Sequence, residues 1–348
     1  MTKVQALLVV FIVALTAGFF SVGHFEPSAF GGFYPVDAKP KQEFKKGMVL
    51  TGDVMLARKV EYLMNRYGAS YPVTRLNPFR SDTYVVGNFE SAMSETHAPT
   101  PFYTFSFRTK VENVNALKTI GFTHLGLSNN HALDAGESGY SYATTSLTSS
   151  GFVTFGHPQT LSTSSVAFFE FENMRIAVVA LSPLSGIPSE AELESAFTFA
   201  STDSDFQIAY IHWGTEYSLI HSRSQELLAQ KLVDHGADLI VGHHPHVVQD
   251  VALVDGVPVF YSLGNFIFDQ YFSDDVQQGL MLELHPNANS LVVELHPVTS
   301  IDMQSAPREM NSAEAELFLE ALAARSEKDL TFEIVTGALT VSPRLAND

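Results

Sequence analysis

Asp238-Leu-Ile-Val-Gly-His-His-Pro-His246 joins an apolar run to three imidazole side chains within four positions. A short run of Leu, Ile and Val that ends at Gly is typical of a buried strand. Side chains just beyond the end of such a strand lie where open α/β sheets bind their ligands. Because neutral imidazole is the commonest protein ligand for transition metals, the stretch predicts a strand that leads into a metal site. A His-rich surface loop is the alternative interpretation.

His244 and His246 stand two positions apart, so an extended turn would let both side chains approach one ion or two neighbouring ions. Pro245 has a fixed φ angle and restricts the conformation of the residue before it. We therefore expect an extended backbone at His244.

Four further predicted strands also end in polar residues. The carboxyl ends of parallel strands meet at one edge of a sheet, so these side chains are expected to converge although they are far apart in the sequence. Their Asp, Glu, Asn and His donors suit Mn, Fe or Zn better than Ca or Mg. Two ions about 3.5–4 Å apart would need a shared carboxylate. The strand ends are Thr51-Gly-Asp53, Gly87-Asn-Phe-Glu90, Asn129-Asn-His131 and His212-Trp-Gly-Thr-Glu216.

From Gly47 onward, strand-like and helix-like segments alternate, and antiparallel pairs follow in the last third of the chain. This order predicts an α/β fold in which two sheets pack between helices, within one domain over residues 47–348. Helices are predicted at 111–120, 139–149, 224–235 and 313–323. Strands are predicted at 48–51, 83–86, 123–127, 166–172, 175–181, 206–212, 238–242, 257–263, 280–285 and 291–298.

The composition excludes several classes of function and site. The chain has 348 residues, of which 45% are hydrophobic, so it can bury one large core or two smaller ones. Its formal net charge of −18 argues against nucleic acid as a partner, because phosphate contacts need Lys and Arg. The sequence has no Cys, which excludes disulfides, thiolate metal sites and lipid attachment through an N-terminal Cys.

Residues 4–22 form an uncharged apolar stretch, with a length between that of a signal-peptide core and that of a minimal membrane span. Small residues at 14, 17 and 18 would suit a cleavage site, yet two Phe residues then continue the apolar run. We favour a signal anchor over residues 1–23 that tethers an extracytoplasmic domain to the membrane. A cleaved signal peptide, which would give a secreted protein, and a buried N-terminal helix are the alternatives. Pro, Gly and Lys residues over 24–46 predict a linker.

Six motifs occur in a fixed order: Gly52-Asp-Val-Met-Leu-Ala-Arg58, Gly87-Asn-Phe-Glu90, Ser128-Asn-Asn-His-Ala-Leu-Asp134, His212-Trp-Gly-Thr-Glu216, Gly242-His-His-Pro-His-Val247 and Tyr261-Ser-Leu-Gly-Asn-Phe-Ile-Phe-Asp269. Together they resemble the CapA family of bacterial capsule and poly-γ-glutamate biosynthesis, which is related to the calcineurin-like metallophosphoesterases. The resemblance covers residues 47–300. It implies a four-layer α-β-β-α sandwich, a dinuclear metal site at the strand ends and a membrane-anchored domain that faces outward.

The resemblance also implies a role for each matching position. Glu90 is expected to bridge two metal ions, and His131 is expected to protonate the leaving group. His243 is expected to be a neighbour of the site and not a ligand. The implied metal ligands are Asp53, Glu90, Asn130, His212, His244 and His246.

One position departs from the phosphoesterase pattern. Those enzymes carry a His two positions after the first-strand Asp, whereas this chain has Met55. A thioether is a poor ligand for a hard ion. The number of bound ions is therefore left open between two and one, and an altered reaction is left open as well.

Several polar residues have an ordinary interpretation beside the functional one. Arg58 is either a surface cation or a catalytic-site guanidinium that binds a substrate carboxylate or phosphate through both of its arms. Asp134 either orients His131 or caps the next helix, and Asp53 taken alone could be a helix N-cap. Four residues are expected to support the ligands or to contact substrate: Asn88, Glu216, His243 and Asn265. Six other histidines are interpreted as structural: His124, His157, His221, His235, His285 and His296.

Taken together, these features predict a metal-dependent hydrolase of the CapA type, which acts on phosphoester or amide bonds of an anionic cell-surface polymer. The ions would acidify water and polarise the scissile group, and His131 would act as general acid. The alternative is a membrane-tethered component that binds polymer or other capsule-synthesis subunits without turnover. A zinc peptidase is disfavoured because the sequence has no His-Glu-x-x-His motif.

Overall fold

Residues 45–101, 103–287 and 289–343 are described by the computed structural model. They belong to one compact unit over Glu43–Asp348. The predicted anchor and most of the predicted linker lie outside the described residues. In the described part of the chain, no helix is both long and apolar enough to cross a membrane.

Within these residues the chain forms strands and helices in the alternating order that the sequence predicts. The strands are β1 (Gly47–Val54), β2 (Thr83–Phe89), β3 (His124–Gly126), β4 (Val153–Phe155), β5 (Val166–Glu170), β6 (Arg175–Leu181), β7 (Phe206–His212), β8 (Leu239–His243), β9 (Val251–Val254), β10 (Val257–Phe260), β11 (Asn265–Ile267), β12 (Gln278–Asn287), β13 (Ser290–Thr299), β14 (Arg308–Glu309) and β15 (Ala338–Val341). The α-helices are α1 (Arg58–Tyr67), α2 (Asn115–Thr119), α3 (Gly136–Ser149), α4 (Glu190–Ser201), α5 (Arg223–Asp234), α6 (Ser312–Arg325) and α7 (Thr331–Thr336).

The strands form two mixed sheets. The first has nine strands: β1, β2, β3 and β4 are parallel to one another, β12 is antiparallel beside β1, and β13 is antiparallel beside β12. The second has six strands in the order β5-β6-β7-β8-β10-β9, and β6, β7, β8 and β10 are parallel. The prediction of two mixed sheets in an α/β fold is therefore confirmed.

Three apolar cores hold the layers together. The inner core joins the facing sides of both sheets, with Leu50 and Leu282 from the first and Val178 and Ile208 from the second. A second core lies between the first sheet and helices α1, α2 and α3. A third core lies between the second sheet and helices α4 and α5. The layers therefore run helices, sheet, sheet, helices.

The element predictions differ from the structure in a few places. The segment predicted as one helix at 111–120 begins as a 3₁₀ turn at Val111–Val114 and becomes α2 only from Asn115. Helices α1, α4 and α7 are absent from the prediction, and so are the short strands β4, β9, β11, β14 and β15. Helix α4 begins with a capping box in which Ser189 and Glu192 bond to each other's backbone N–H, a signal that the Ser-x-x-Glu spacing carries.

The register of the parallel strands brings their carboxyl ends together. Asp53 pairs with Asn88 across β1 and β2, and His212 pairs with His243 across β7 and β8. Close backbone contacts hold these ends in place: a Cβ atom on Gly242 would lie 2.0 Å from the carbonyl oxygen of Tyr261, so only Gly fits there. Both sheets thus deliver polar side chains to one place.

Candidate metal centre

The side chains predicted as ligands meet in a buried cluster where the parallel strands of the two sheets end. Their donor atoms form two groups of three, and within each group these atoms lie within 4.8 Å of one another. Glu90 belongs to both groups. One group is Asp53, Glu90 and His212, and the other is Glu90, His244 and His246. Asn130 reaches the same cluster, because its Oδ1 atom lies 2.7 Å from Nε2 of His212.

Both carboxylate oxygens of Glu90 are buried and have no hydrogen-bond partner among the described residues. The Nε2 atoms of His131, His212 and His246 lie 3.8, 3.9 and 3.9 Å from Oε1, beyond hydrogen-bond distance. Burial, and after it the negative charge of Asp53, raises the pKa of Glu90 well above its usual range. An unpartnered buried carboxylate is costly, and a divalent cation would offset that cost. The cluster therefore fits metal binding, and these buried groups could hold metal ions.

Asp53 is held by donors from three sides. Asn88 Nδ2 donates a 2.8 Å hydrogen bond to Oδ1, and the backbone N–H of His244 donates a 3.3 Å bond to Oδ2. The Nδ1 atoms of His243 and His246 lie 3.4 and 3.3 Å from the carboxylate. Burial alone would raise the pKa of Asp53, but the two imidazoles outweigh burial and hold the pKa well below its usual range. Asp53 is therefore ionised, which is the state in which a carboxylate can bind a metal ion.

The imidazoles of His212 and His244 are neutral in this environment. Burial, aided by repulsion from His244, lowers the pKa of His212 well below its usual range. Burial, aided by repulsion from His246, lowers the pKa of His244 to about 4. Nδ1 of His244 is buried without a hydrogen-bond partner among the described residues. Neutral imidazole is the form in which His binds metals, although both ring nitrogens of His212 contact Asn side chains in this structure.

The backbone of the His loop corrects one prediction. His244 and His246 have φ angles of 95° and 59°, so both adopt the left-handed conformation and His244 is not extended. The effect of Pro245 on its neighbour is overridden by hydrogen bonds that hold the loop: His244 N–H bonds to Asp53, and Tyr217 N–H donates to Pro245 O at 2.8 Å. Strained backbone of this kind is found at sites that surrounding structure holds in place for function.

His131 and Asp134 form a dyad at the edge of the cluster. Nδ1 of His131 lies 2.9 Å from Oδ2 of Asp134, which also accepts a 2.7 Å hydrogen bond from the backbone N–H of Phe107. The His131 ring stacks on the Phe107 ring with centroids 3.6 Å apart. The N-cap of α3 is Ala135. Of the two roles left open for Asp134, the structure thus supports orientation of His131, whose Nε2 points towards Glu90.

Arg58 is fixed by partners within the protein. Its guanidinium forms an ion pair with Asp269 and donates a 2.9 Å hydrogen bond to Thr104 O. The same group lies over the Phe107 ring, 4.2 Å from its centroid. Arg58 is thus not a free surface cation, and its contact with substrate stays a prediction. Asp269 was not among the predicted site residues, although the last of the six motifs ends at it.

Met55 belongs to one of the apolar cores. Its side chain is fully buried in the core between the first sheet and helices α1, α2 and α3. Its sulfur accepts a 3.0 Å hydrogen bond from Ala57 N–H. The position of the expected first-strand His is thus occupied by a core residue.

Asp53 is part of β1, and α1 begins only at Arg58, so the N-cap interpretation of Asp53 is wrong.

Asparagine amides connect the donors. Asn88 Nδ2 lies 3.0 Å from His212 Nδ1 as well as bonding to Asp53. Asn129, from the predicted strand end Asn129-Asn-His131, donates a 3.2 Å bond to Asn88 Oδ1. Asn265 Oδ1 lies 3.0 Å from Nδ1 of His246. Each amide orients a neighbouring donor, as groups behind metal ligands do.

The remaining predicted residues lie around this network. Glu216 is exposed at the rim, where its charge contributes to the raised pKa of Glu90. Burial, and after it a hydrogen bond with Glu216, raises the pKa of Tyr217. His243 is fully buried beside Asp53, and its ring lies 4.3 Å from that of Tyr210. His243 therefore lies beside Asp53, a candidate ligand.

Solved structures with a partly similar fold have low sequence identity to this chain. A Staphylococcus aureus protein assigned as a 5'-nucleotidase gives a TM-score of 0.47 at 12% identity, covering 77% of this chain and 56% of that one. A phosphatase from Mycoplasma pneumoniae gives a TM-score of 0.42 at 13% identity, covering 76% of this chain and 92% of that one.

Two Bacillus proteins are similar over most of the sequence. The PGA biosynthesis protein CapA of Bacillus subtilis is 28% identical over 307 residues, which cover 83% of this chain and 80% of that protein. The capsule biosynthesis protein CapA of Bacillus anthracis is 28% identical over 297 residues, which cover 79% of this chain and 72% of that protein. The family model described as bacterial capsule synthesis protein PGA_cap matches residues 47–270, which include every residue of the cluster described above. The chain belongs to the PGA_cap family of bacterial capsule synthesis proteins.

Proposed function

We propose that this chain is a metal-dependent hydrolase that acts on phosphoester or amide bonds of an anionic cell-surface polymer. The observation that carries the proposal is Glu90, a buried carboxylate without a hydrogen-bond partner that is shared by two groups of donors. The names of the Bacillus relatives, which refer to PGA and capsule biosynthesis, support a polymer as the substrate.

The donor set favours two divalent ions of Mn, Fe or Zn. Asp53, Glu90 and His212 would hold one ion, and Glu90, His244 and His246 would hold the other, with Asn130 beside His212. The set combines carboxylate and imidazole and has no thiolate, which suits these metals. Such ions supply Lewis-acid polarisation of the scissile group and acidify water. Met55 contributes no donor atom, so six side chains would hold the two ions: Asp53, Glu90, Asn130, His212, His244 and His246.

His131 supplies the proton for the leaving group. Asp134 accepts the hydrogen bond of Nδ1, so Nε2 is the nitrogen that faces the cluster and exchanges a proton there. Stacking on Phe107 keeps the ring in this orientation. A positioned general acid contributes about 10²–10⁴-fold to a hydrolysis rate.

Binding of a polyanion by this acidic protein needs local positive charge. The ions supply most of it, because Asp269 already neutralises Arg58. We also propose that residues 1–23 anchor the protein in the membrane and that residues 24–46 link the anchor to an extracytoplasmic domain over 47–348, where a cell-surface polymer is accessible. Other capsule-synthesis subunits would bind the same membrane-anchored assembly, and the net charge of −18 disfavours nucleic acid as a partner.

Hydrolysis by the purified full-length chain tests the proposal. Bis-(p-nitrophenyl) phosphate serves as a phosphodiester probe and poly-γ-glutamate as an amide probe, each with Mn²⁺ or Zn²⁺ added. We expect turnover of at least one probe, and a fall in kcat of about 10²–10⁴-fold in His131→Ala. His235→Ala, a His at the end of α5, is the matched control and should leave kcat unchanged.

The alternative function, a tethered component that binds polymer or partner subunits without turnover, predicts a different result. Metal and polymer would bind to the wild-type chain, yet neither probe would be hydrolysed. The replacement of the first-strand His by Met55 is the observation that favours this alternative. Equal hydrolysis by wild type and His131→Ala would also contradict the proposed enzyme.

A further inference from the structure

A second cluster of carboxylates and imidazoles lies on the outer face of the first sheet, away from the strand-end cluster. Successive side chains in the hairpin of β12 and β13 point to opposite faces of the sheet, and Leu282 and Leu284 face the inner core. Glu283 and His285 point to the opposite face, and across the ladder Glu283 stands directly opposite Glu294. The hairpin therefore places acidic and imidazole side chains side by side on one face.

Two carboxylates directly opposite each other in an antiparallel pair repel and destabilise the sheet. Here His296 and His285 stand on either side of the Glu283–Glu294 pair, because they are opposite Met281 and Val292 in the register. The arrangement puts both negative charges between two imidazoles. It is a mixed set of oxygen and nitrogen donors, not only an acidic patch.

The distances match those between ligands of one small ion. Nε2 of His296 lies 3.4 Å from Oε2 of Glu283 and 3.6 Å from Oε2 of Glu294. Donors at about 2.0–2.1 Å from a tetrahedral zinc ion are separated by roughly 3.3–3.4 Å. Nε2 of His296 is also buried and has no hydrogen-bond partner among the described residues. The three donor atoms of Glu283, Glu294 and His296 lie within 4.8 Å of one another.

The surroundings leave room for an ion and for one further ligand. A cavity of about 180 Å³ adjoins the cluster, and its lining includes Glu283, His296 and the apolar side chains of Phe79 and Met281. Arg80 also lines this cavity. Its charge is neutralised by Asp82, to which it donates hydrogen bonds of 3.0 and 2.8 Å. The cavity thus gives a metal ion access from solvent, and Arg80 does not repel the ion because Asp82 neutralises its charge.

We infer that Glu283, Glu294 and His296 form a second divalent-metal site, of the zinc class, that is separate from the strand-end centre. Nε2 of His285 lies 3.7 Å from Oε1 of Glu283 and 3.7 Å from Oε2 of Glu294, close enough to help orient both carboxylates. The site does not depend on the proposed hydrolase activity. A bound ion removes the repulsion between the paired carboxylates and stabilises the β12–β13 hairpin. His285 and His296 therefore have a role beyond the structural one expected from the sequence.

Zinc content of the purified full-length chain tests this site. After saturation with Zn²⁺ and removal of excess metal, the Glu283→Gln/His296→Ala double variant should hold one equivalent fewer than wild type. His285→Ala should weaken binding at this site by roughly 10- to 100-fold. The matched control is Glu309→Gln, which removes a carboxylate that lines the same cavity and should keep the full zinc content.

The two metal sites can be told apart in the same experiment. Glu90→Gln should lose zinc from the strand-end centre and retain the equivalent bound at the hairpin. Equal zinc contents in wild type and the double variant, with both folded by circular dichroism, would overturn the inference. If the double variant does not fold, His296→Gln alone is measured, and an undiminished affinity for the last zinc equivalent would overturn it as well.

Discussion

At the scale of single residues, the centre depends on partners that hold each donor in place. Asp134 holds His131, Asn265 holds His246, and Asn88 joins Asp53 to His212. The six motifs allowed most donors to be predicted, because each motif lies at or just beyond the carboxyl end of a strand. The supporting contacts could not be predicted, since they depend on side-chain directions that only the packed strands determine.

Asp134→Asn tests the support of His131. An amide in place of the carboxylate stabilises the protonated imidazole less and can present the wrong partner to Nδ1. We expect kcat on the responsive probe to fall roughly 10- to 100-fold with unchanged metal content. Glu137→Gln, an exposed carboxylate three residues further on, should change neither quantity. Loss of metal in Asp134→Asn, or an unchanged kcat, would contradict the role given to this dyad.

At the scale of elements, short parallel strands carry the donors and glycines allow their ends to approach. Strands β7 and β8 were predicted nearly to the residue, because their apolar runs are bounded by polar residues and Gly. The left-handed backbone of His244 was not predictable from Pro245 alone. Its cause is a set of hydrogen bonds from residues distant in the sequence, which local propensity does not contain.

Gly242→Ala tests the close approach of β8 and the segment after β10. A Cβ atom at this position would lie 2.0 Å from Tyr261 O and 2.5 Å from Nε1 of Trp213. We expect the backbone to shift and the free energy of unfolding to fall by about 1–3 kcal/mol or more, with weaker metal binding by the His loop that follows. Urea denaturation measures the first effect and metal titration the second.

Gly47→Ala is the control for this substitution. A Cβ atom there would lie at ordinary contact distances, the shortest being 3.4 Å, at the start of β1. This variant should unfold close to wild type. Equal stabilities of Gly242→Ala and wild type would show that the backbone contact does not constrain the site.

A buried histidine between the sheets predicts how stability depends on pH. Burial lowers the pKa of His124 in β3 from 6.5 to about 4, and its ring packs against Phe169 at 4.4 Å. The unfolded chain therefore binds a proton that the folded chain does not, so this contribution to stability is lost as the pH falls from 6.5 towards 4. His124→Phe keeps a ring without the titration and should show a flatter loss of stability over this range.

Chemical denaturation of wild type and His124→Phe at several pH values measures this difference. His235→Phe, a substitution at the end of α5, serves as the control and should keep the wild-type slope. Parallel stability curves for wild type and His124→Phe between pH 6.5 and 4 would contradict the assignment.

At the scale of the whole molecule, two sheets of one domain supply a single centre. Order of elements and strand-end polarity were sufficient to predict the two-sheet architecture and the convergence of the donors. The outer-face cluster on β12 and β13 was not predicted, because His285 and His296 are eleven residues apart and meet only through the hairpin register. Residues 1–23, by contrast, lie outside the described part, and their role as an anchor rests on their composition.

The absence of Cys from the chain allows a direct test of its location. Ser201→Cys introduces one thiol at an exposed position in α4. In intact bacterial cells that express the full chain, a membrane-impermeant maleimide should label this thiol. The same variant without residues 1–23 should be labelled only after lysis. If the thiol of the full-length variant is not labelled in intact cells, that result would contradict an outward-facing domain.

The metal content of Glu90→Gln is the most direct measurement of the central claim, that one buried carboxylate joins two groups of donors into a metal centre. Wild-type and Glu90→Gln full-length chains are loaded with Mn²⁺ or Zn²⁺ and freed of excess metal. Their metal content is then measured by inductively coupled plasma mass spectrometry. The proposed centre predicts that Glu90→Gln holds two equivalents fewer than wild type while it remains folded. Equal metal contents in the two proteins would contradict it.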